Sequence, residues 1–295
     1  MSLSTDVARS ALSWVSANLS AFEVPSTSDD GFLATALKPV GELALTAEVM
    51  GRYARPDEGA ALEPEALLAF CWEQTRSGEL ISELICRYPD LFALCTIYPP
   101  FYRAGLRNVR LEQCIRSLAT LSAIQHLEFP AWRALDIATS LDSVGIPHAW
   151  STRHLWRSTW LSRSPEPWAL CEASAYSLTH TTFYLTDFGR TPAGLPRAAR
   201  QYLRKWLPPW QMYYAHCGNM DLLGELIMVG RSIGTVEDEQ LWSVLAQTQR
   251  ADGAVPSALT TEWAESVAGG DERRVDFLTN YHTTLVTIMA AAMVA

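Results

Sequence analysis

The sequence predicts an all-α protein, an (α/α)6 toroid of about twelve helices, with an open α-solenoid of helical hairpins as the alternative. Three observations carry this. Apolar residues recur at i, i+3, i+4 and i+7 in most windows, whereas period-two alternation bounded by turn residues is hard to find. Pro and Gly cut the 295 residues into stretches of about 12 to 20 residues, the usual globular helix length. Finally, the helices alternate between two kinds, one small and apolar, the other charged and Trp-bearing.

The stretches fall near residues 4–20, 38–54, 64–77, 79–97, 110–126, 130–144, 150–162, 168–188, 195–214, 219–232, 236–250 and 277–294. The inner kind is marked in order by Gly41-Glu42-Leu43-Ala44-Leu45, Asp136-Ile137-Ala138-Thr139, Tyr176-Ser177-Leu178-Thr179-His180, Asp221-Leu222-Leu223-Gly224-Glu225 and Tyr281-His282-Thr283-Thr284-Leu285, all nearly free of Lys. Their polar marks Glu42, Asp90, Asp136, His180 and Asp221 stand about 41 to 48 residues apart, one helical hairpin each. His282 follows after a longer gap, which the Gly-, Pro- and Ser-containing segment 254–270 absorbs as a loop, with Gly269-Gly270 as a hinge for a lid or as part of a passive connection. The stretches around residues 110–125 and 236–250 carry charge and suit an outer, half-exposed layer. No long Pro- or Ser-rich linker interrupts the chain, so residues 1–295 read as a single domain.

Composition bounds the function. With 48% hydrophobic residues, 19% charged and 11 Trp, the chain can bury a large core. A net charge of −9 disfavours nucleic acid and anionic membranes as partners, because both demand a basic face. The longest apolar run, Leu285 to Ala295, is too short to span a bilayer, and residues 1–21 lack the apolar core of a secretory signal. Six cysteines without a CxxC pair read as reduced, small hydrophobes, which points to the cytoplasm. Phosphate-binding Gly loops, GxSxG elbows and dinucleotide fingerprints are absent, so no nucleotide cofactor is expected.

Candidate chemistry gathers in the C-terminal half. On a continuous helix His180, Tyr184 and Asp187 fall at i, i+4 and i+7 and share a face, offering a base, a donor and an orienting carboxylate. Asp221 reads as a first-turn or capping carboxylate and, with Asp187 and Glu225, as a candidate to orient and charge-balance the two catalytic histidines. Glu225 lies among Leu222, Leu223, Leu226 and Ile227, where it needs a partner: a histidine or arginine, a metal, or a substrate amine. His282 matches His180, each followed by two Thr, and convergence of the two would supply acid and base to one substrate. Tyr184, Tyr281, Trp210 and Tyr214 are the candidate substrate-binding aromatics. His216 and Cys217, with His180 and His282, are the candidate ligands should zinc be the cofactor, although no local ligand pair such as HxxxH occurs.

Two resemblances accompany this reading. Gln249-Arg-Ala-Asp-Gly253-Ala-Val255 resembles the turn after an outer helix in the terpenoid-cyclase-like and six-hairpin families, with Val255 in place of their aromatic residue. The blocks around His180 to Gly189, Asp221 to Leu226 and Tyr281 to Leu285 resemble those of an uncharacterised, mainly actinobacterial family of toroid-like proteins. The resemblance implies the ring and no particular reaction. The acidic motifs of terpene ionisation, Asp-x-Asp-Asp and Asp-Asp-x-x-Asp, are missing. The expected function is therefore a small-molecule or peptide tailoring enzyme (lyase, cyclase or hydrolase) of secondary metabolism, working with inward His and carboxylates in a central cavity. The alternative is a non-catalytic helical-repeat scaffold.

Overall fold

The computed structural model describes residues 2–25, 30–53, 63–235, 238–257 and 261–293. Among them every regular element is helical, fifteen α-helices and five short 3-10 helices, and no strand occurs. The all-α class is thus as the periodicity predicts. The described residues fall into two compact units, one of residues 2–22, 49–53, 63, 186–235, 238–257 and 261–293, the other of residues 23–25, 30–48 and 64–185.

The first unit contains α1 (Leu3–Ala17), the end of α2 (Asp30–Tyr53), α11 (Arg197–His216), α12 (Met220–Ser232), α13 (Glu239–Thr248), α14 (Thr261–Ala268) and α15 (Glu272–Ala292). Two of these helices are buried nearly all round, α12 along its length and α15 from Phe277 onward, and are therefore central. α12 packs against α11 and α15, and α15 also packs against α1 and α14. Leu222, Leu223, Leu226, Ile227, Met228 and Val229 of α12 are at most 4% exposed, and each such side chain contributes about 1.5–3 kcal/mol by leaving water. α15 starts earlier than its apolar run because Asp271 caps it, accepting from the backbone N–H of Arg273 and Arg274 at 2.9 and 3.2 Å. The segment expected to be only a loop, 254–270, holds α14; residues 258–260 within it, like 236 and 237 at the start of the expected helix 236–250, lie outside the described residues. The Gln249–Gly253 turn is held by Gln249 Nε2 donating to the Val7 and Gly253 carbonyls at 3.0 and 2.9 Å. Gly253 has φ +98° and a Cβ there would lie 2.0 Å from the Ser10 carbonyl oxygen, so only glycine fits this approach to α1.

The second unit contains the rest of α2, then α3 (Pro64–Gln74), α4 (Glu79–Arg87), α5 (Tyr98–Arg103), α6 (Val109–Ala119), α7 (Ser122–Gln125), α8 (Ala131–Ser143), α9 (Thr152–Ser158) and nearly all of α10 (Glu172–Thr186). One helix expected over 79–97 is two elements here. Tyr88 precedes Pro89 and is driven out of the helical region (φ −128°, ψ 85°), so α4 ends at Arg87 and a 3-10 helix, Pro89–Ile97, follows. That 3-10 helix packs on α4, α5, α6, α7 and α8. Asp90 is exposed at its start, so it does not mark an inner helix as the repeat pattern requires. Glu48, 8% exposed, is clasped by Arg103 through two 2.9 Å bonds. Cys86 and Cys114 form a disulfide joining α4 to α6. The expectation of reduced, hydrophobic cysteines holds for the buried thiols of Cys71 and Cys95. It fails for this pair, which two packed helices bring together and no local spacing signals, and a chain with a disulfide gives no sign of a reducing compartment. Among the described residues no helix is long and apolar enough to cross a membrane.

Candidate metal centre

Asn219 fixes the start of α12. Its side-chain oxygen accepts the Leu222 N–H at 3.0 Å, which leaves Asp221 in the first turn, where the helix dipole favours a carboxylate. Glu225 follows at i+4 and therefore stands above Asp221 on one face. Both acids are buried, at 6% and 3% exposure. The facing residue comes from the middle of α15, where Thr283 and Thr284 are fully buried and His282 keeps a side-chain exposure of 31%.

These three side chains meet. His282 Nε2 lies 3.3 Å from Asp221 Oδ1, and one ligand-capable atom from each of Asp221, Glu225 and His282 lies within 4.8 Å of the others. Two ionised carboxylates at such a separation repel by roughly 3–4 kcal/mol at an effective dielectric constant of about 20. A protonated imidazole supplies one compensating charge; a divalent cation supplies two. The donor set, two carboxylate oxygens and one imidazole nitrogen, suits zinc and the other first-row divalent ions.

The remaining sequence candidates are placed differently. His216 and Cys217 are exposed at the C-terminal end of α11 and do not belong to this group. Trp210, Tyr214 and Tyr281 are buried at 5%, 2% and 1%; Tyr281 stacks on Phe277 with ring centres 5.3 Å apart. Asp187 does not continue the face of His180 and Tyr184, because α10 stops at Thr186 and Asp187 and Phe188 take left-handed φ of 49° and 51°. Asp187 instead anchors that turn. Arg52 donates to its carbonyl and its carboxylate at 2.9 and 3.0 Å, Arg190 approaches the other carboxylate oxygen at 2.6 Å, and Tyr53 donates to the Phe188 carbonyl at 2.8 Å.

His180 belongs to the second unit and sits among rings. Its centroid is 4.8 Å from that of Trp132, and Tyr184, Phe183 and Tyr176 follow at 5.9, 6.0 and 6.1 Å. Its Nδ1 lies 2.9 Å from the Tyr176 carbonyl oxygen, so this nitrogen carries the proton that the carbonyl accepts. Tyr184 hydrogen-bonds Asp136, a residue that the sequence candidates did not include. Burial pushes the Asp136 carboxyl up to about 6, against the lowering pull of Arg133, Tyr184 and Ser140; the Arg133 guanidinium lies 2.7 Å away. Its signal was available, a carboxylate set between Leu135 and Ile137-Ala138 in the same manner as Glu225 among its leucines.

Fold and site together define an all-helical protein with a buried carboxylate–imidazole group at metal-binding separation. A family model described as "Domain of unknown function (DUF6895)" matches residues 8–292, and the chain belongs to that family. No curated protein and no solved structure matches it.

Proposed function

We propose that this chain is a metal-dependent enzyme of small-molecule or peptide tailoring, a hydrolase, lyase or cyclase, with Asp221, Glu225 and His282 holding one divalent cation. The single observation behind this is the meeting of the three side chains from two different helices, two of them in surroundings where uncompensated charge is costly. Bound there, the cation supplies Lewis acidity toward a substrate carbonyl or a water molecule. Asp221 and Glu225, both buried, would balance its charge. His282, with a side-chain exposure of 31%, is the ligand of the three that solvent reaches. The reading needs the first unit alone.

A second reading rests on the 3.3 Å Asp221–His282 pair: without metal the carboxylate orients the imidazole as a general base. Calorimetric titration of chelator-treated protein with zinc or manganese separates the two. Micromolar or tighter 1:1 binding that Glu225→Gln and His282→Ala each weaken more than about 100-fold supports the metal, since loss of even an indirect supporting group costs about 10- to 100-fold. Equal binding by wild type and variants, or none by either, removes it. Turnover on a panel of ester, amide and phosphoester substrates that survives His282→Ala would remove both readings.

A further inference from the structure

Glycine in a helix interior costs about 1 kcal/mol relative to alanine, so its presence there calls for a reason. Gly224 of α12 lies between the two carboxylates, three residues after Asp221 and one before Glu225. A Cβ built at this position would stand 2.8 Å from Val286 Cγ1 and 3.9 Å from Val286 Cβ. Val286 is one helical turn beyond His282 on α15, on the same face. It is 2% exposed, and a β-branched side chain in a helix has essentially one rotamer, so it has nowhere to turn. The other glycine of the helix, Gly230, meets different neighbours: Thr235 Oγ1 at 2.7 Å and Leu207 Cδ2 at 3.2 Å. The close approach of α12 to α15 is thus built at the turn that carries the candidate ligands.

We infer that Gly224 and Val286 are positioning residues of the cation site: the absent side chain at 224 sets the helix separation at which His282 reaches Asp221 and Glu225. The inference rests on the metal reading above. Neither residue touches the cation or supplies a donor. Their effect passes through the spacing of α12 and α15, because ligands on two rigid helices close around one ion only when the helices stand at one separation. A methyl group at 224 pushes against Val286 and carries the imidazole away from the carboxylates. No ligand side chain is removed; only their separation changes.

The test is calorimetric titration with zinc and with manganese on full-length wild type, Gly224→Ala, Val286→Ile and the double variant Gly224→Ala/Val286→Ala, with thermal melts alongside. Gly224→Ala is expected to lose at least about tenfold in cation affinity. Val286→Ile, which enlarges the contact from the α15 side, loses affinity as well. The double variant, in which the new methyl meets the space left by the valine, returns to within about threefold of wild type. This rescue distinguishes positioning from mere packing, since a packing role alone moves the melting temperature and leaves affinity unchanged. Should Gly224→Ala fail to fold, Val286→Ile and the double variant still decide. If wild type binds a cation and all variants bind it equally, the inference is overturned and the metal reading stands; if wild type binds none, the metal reading falls and takes the inference with it.

Discussion

His180-Thr181-Thr182 and His282-Thr283-Thr284 are the same tripeptide in the middle of two helices, and the structure gives them different surroundings. In both, the two threonines are fully buried and the histidine is half-buried. In both, the second threonine hydroxyl donates to the carbonyl four residues back, Thr182 to Leu178 at 2.9 Å and Thr284 to Asn280 at 2.8 Å. The tripeptide therefore does one thing: by burying its threonines it turns the histidine to the edge of the helix. What the imidazole meets there comes from other residues. Carboxylates of α12 face His282, whereas rings of α8 and α10 surround His180, with Asp136 reached through Tyr184. The surroundings of a helix histidine, charged for His282 and aromatic for His180, therefore come from its neighbours and not from its own tripeptide.

The largest effect expected is on cation binding. His282→Ala weakens zinc or manganese binding more than about 100-fold, while His180→Ala leaves the first unit's affinity within about threefold by the same titration. Equal losses from both substitutions would mean that the two histidines serve one centre.

The next effect is on stability and follows from Asp136. Its carboxyl stands at about 6 in the folded protein against 3.8 for an unperturbed aspartate. Folding thus favours the protonated form. The stability this confers is fully present below about pH 4 and is lost as pH rises through about 6, to a total of roughly 2–3 kcal/mol. Asp136→Asn cannot titrate, so its stability relative to wild type shifts in its favour by that amount between pH 4 and pH 7, as read from urea midpoints at the two values. A difference that stays constant with pH would show that Arg133 and Tyr184 outweigh the burial.

Much of this was legible in the sequence, and the limits have physical causes. The apolar stripe of α12 and the cost of leaving Glu225 alone among leucines name a buried acid in need of a partner. Asp221 four residues earlier and His282 on the last long apolar helix were both candidates, and the structure brings those three together. Asp187 was misplaced because helix periodicity carries no stop signal at Thr186. Two left-handed non-glycine residues before Gly189 end α10, and they are held by Arg52, which is 135 residues away in sequence. A similar run, Arg76, Ser77 and Gly78, ends α3, again with a buried threonine whose hydroxyl accepts the glycine N–H, so the same stop is built at both helix ends. The break at Tyr88 was readable from Pro89. The disulfide was not, since helix pairing is a property of packing and not of spacing.

The smallest effect expected tests the packing half of the comparison. If His180 is held by its rings, the contact with Trp132 at 4.8 Å carries its own energy beyond the area buried. A double-mutant cycle of His180→Ala and Trp132→Ala, followed by urea denaturation, isolates that term from the cavities each substitution leaves. The expected coupling is about 0.5–1.5 kcal/mol, the range of paired rings in protein interiors. The same cycle between His282→Ala and Tyr281→Ala, whose rings are 6.3 Å apart, is expected to give a smaller value, because the neighbours that matter to His282 are charged rather than aromatic. Coupling larger at His282 than at His180 would reverse the assignment: the imidazole facing the carboxylates would then be the packing element, and the one among the rings would be left to do the chemistry.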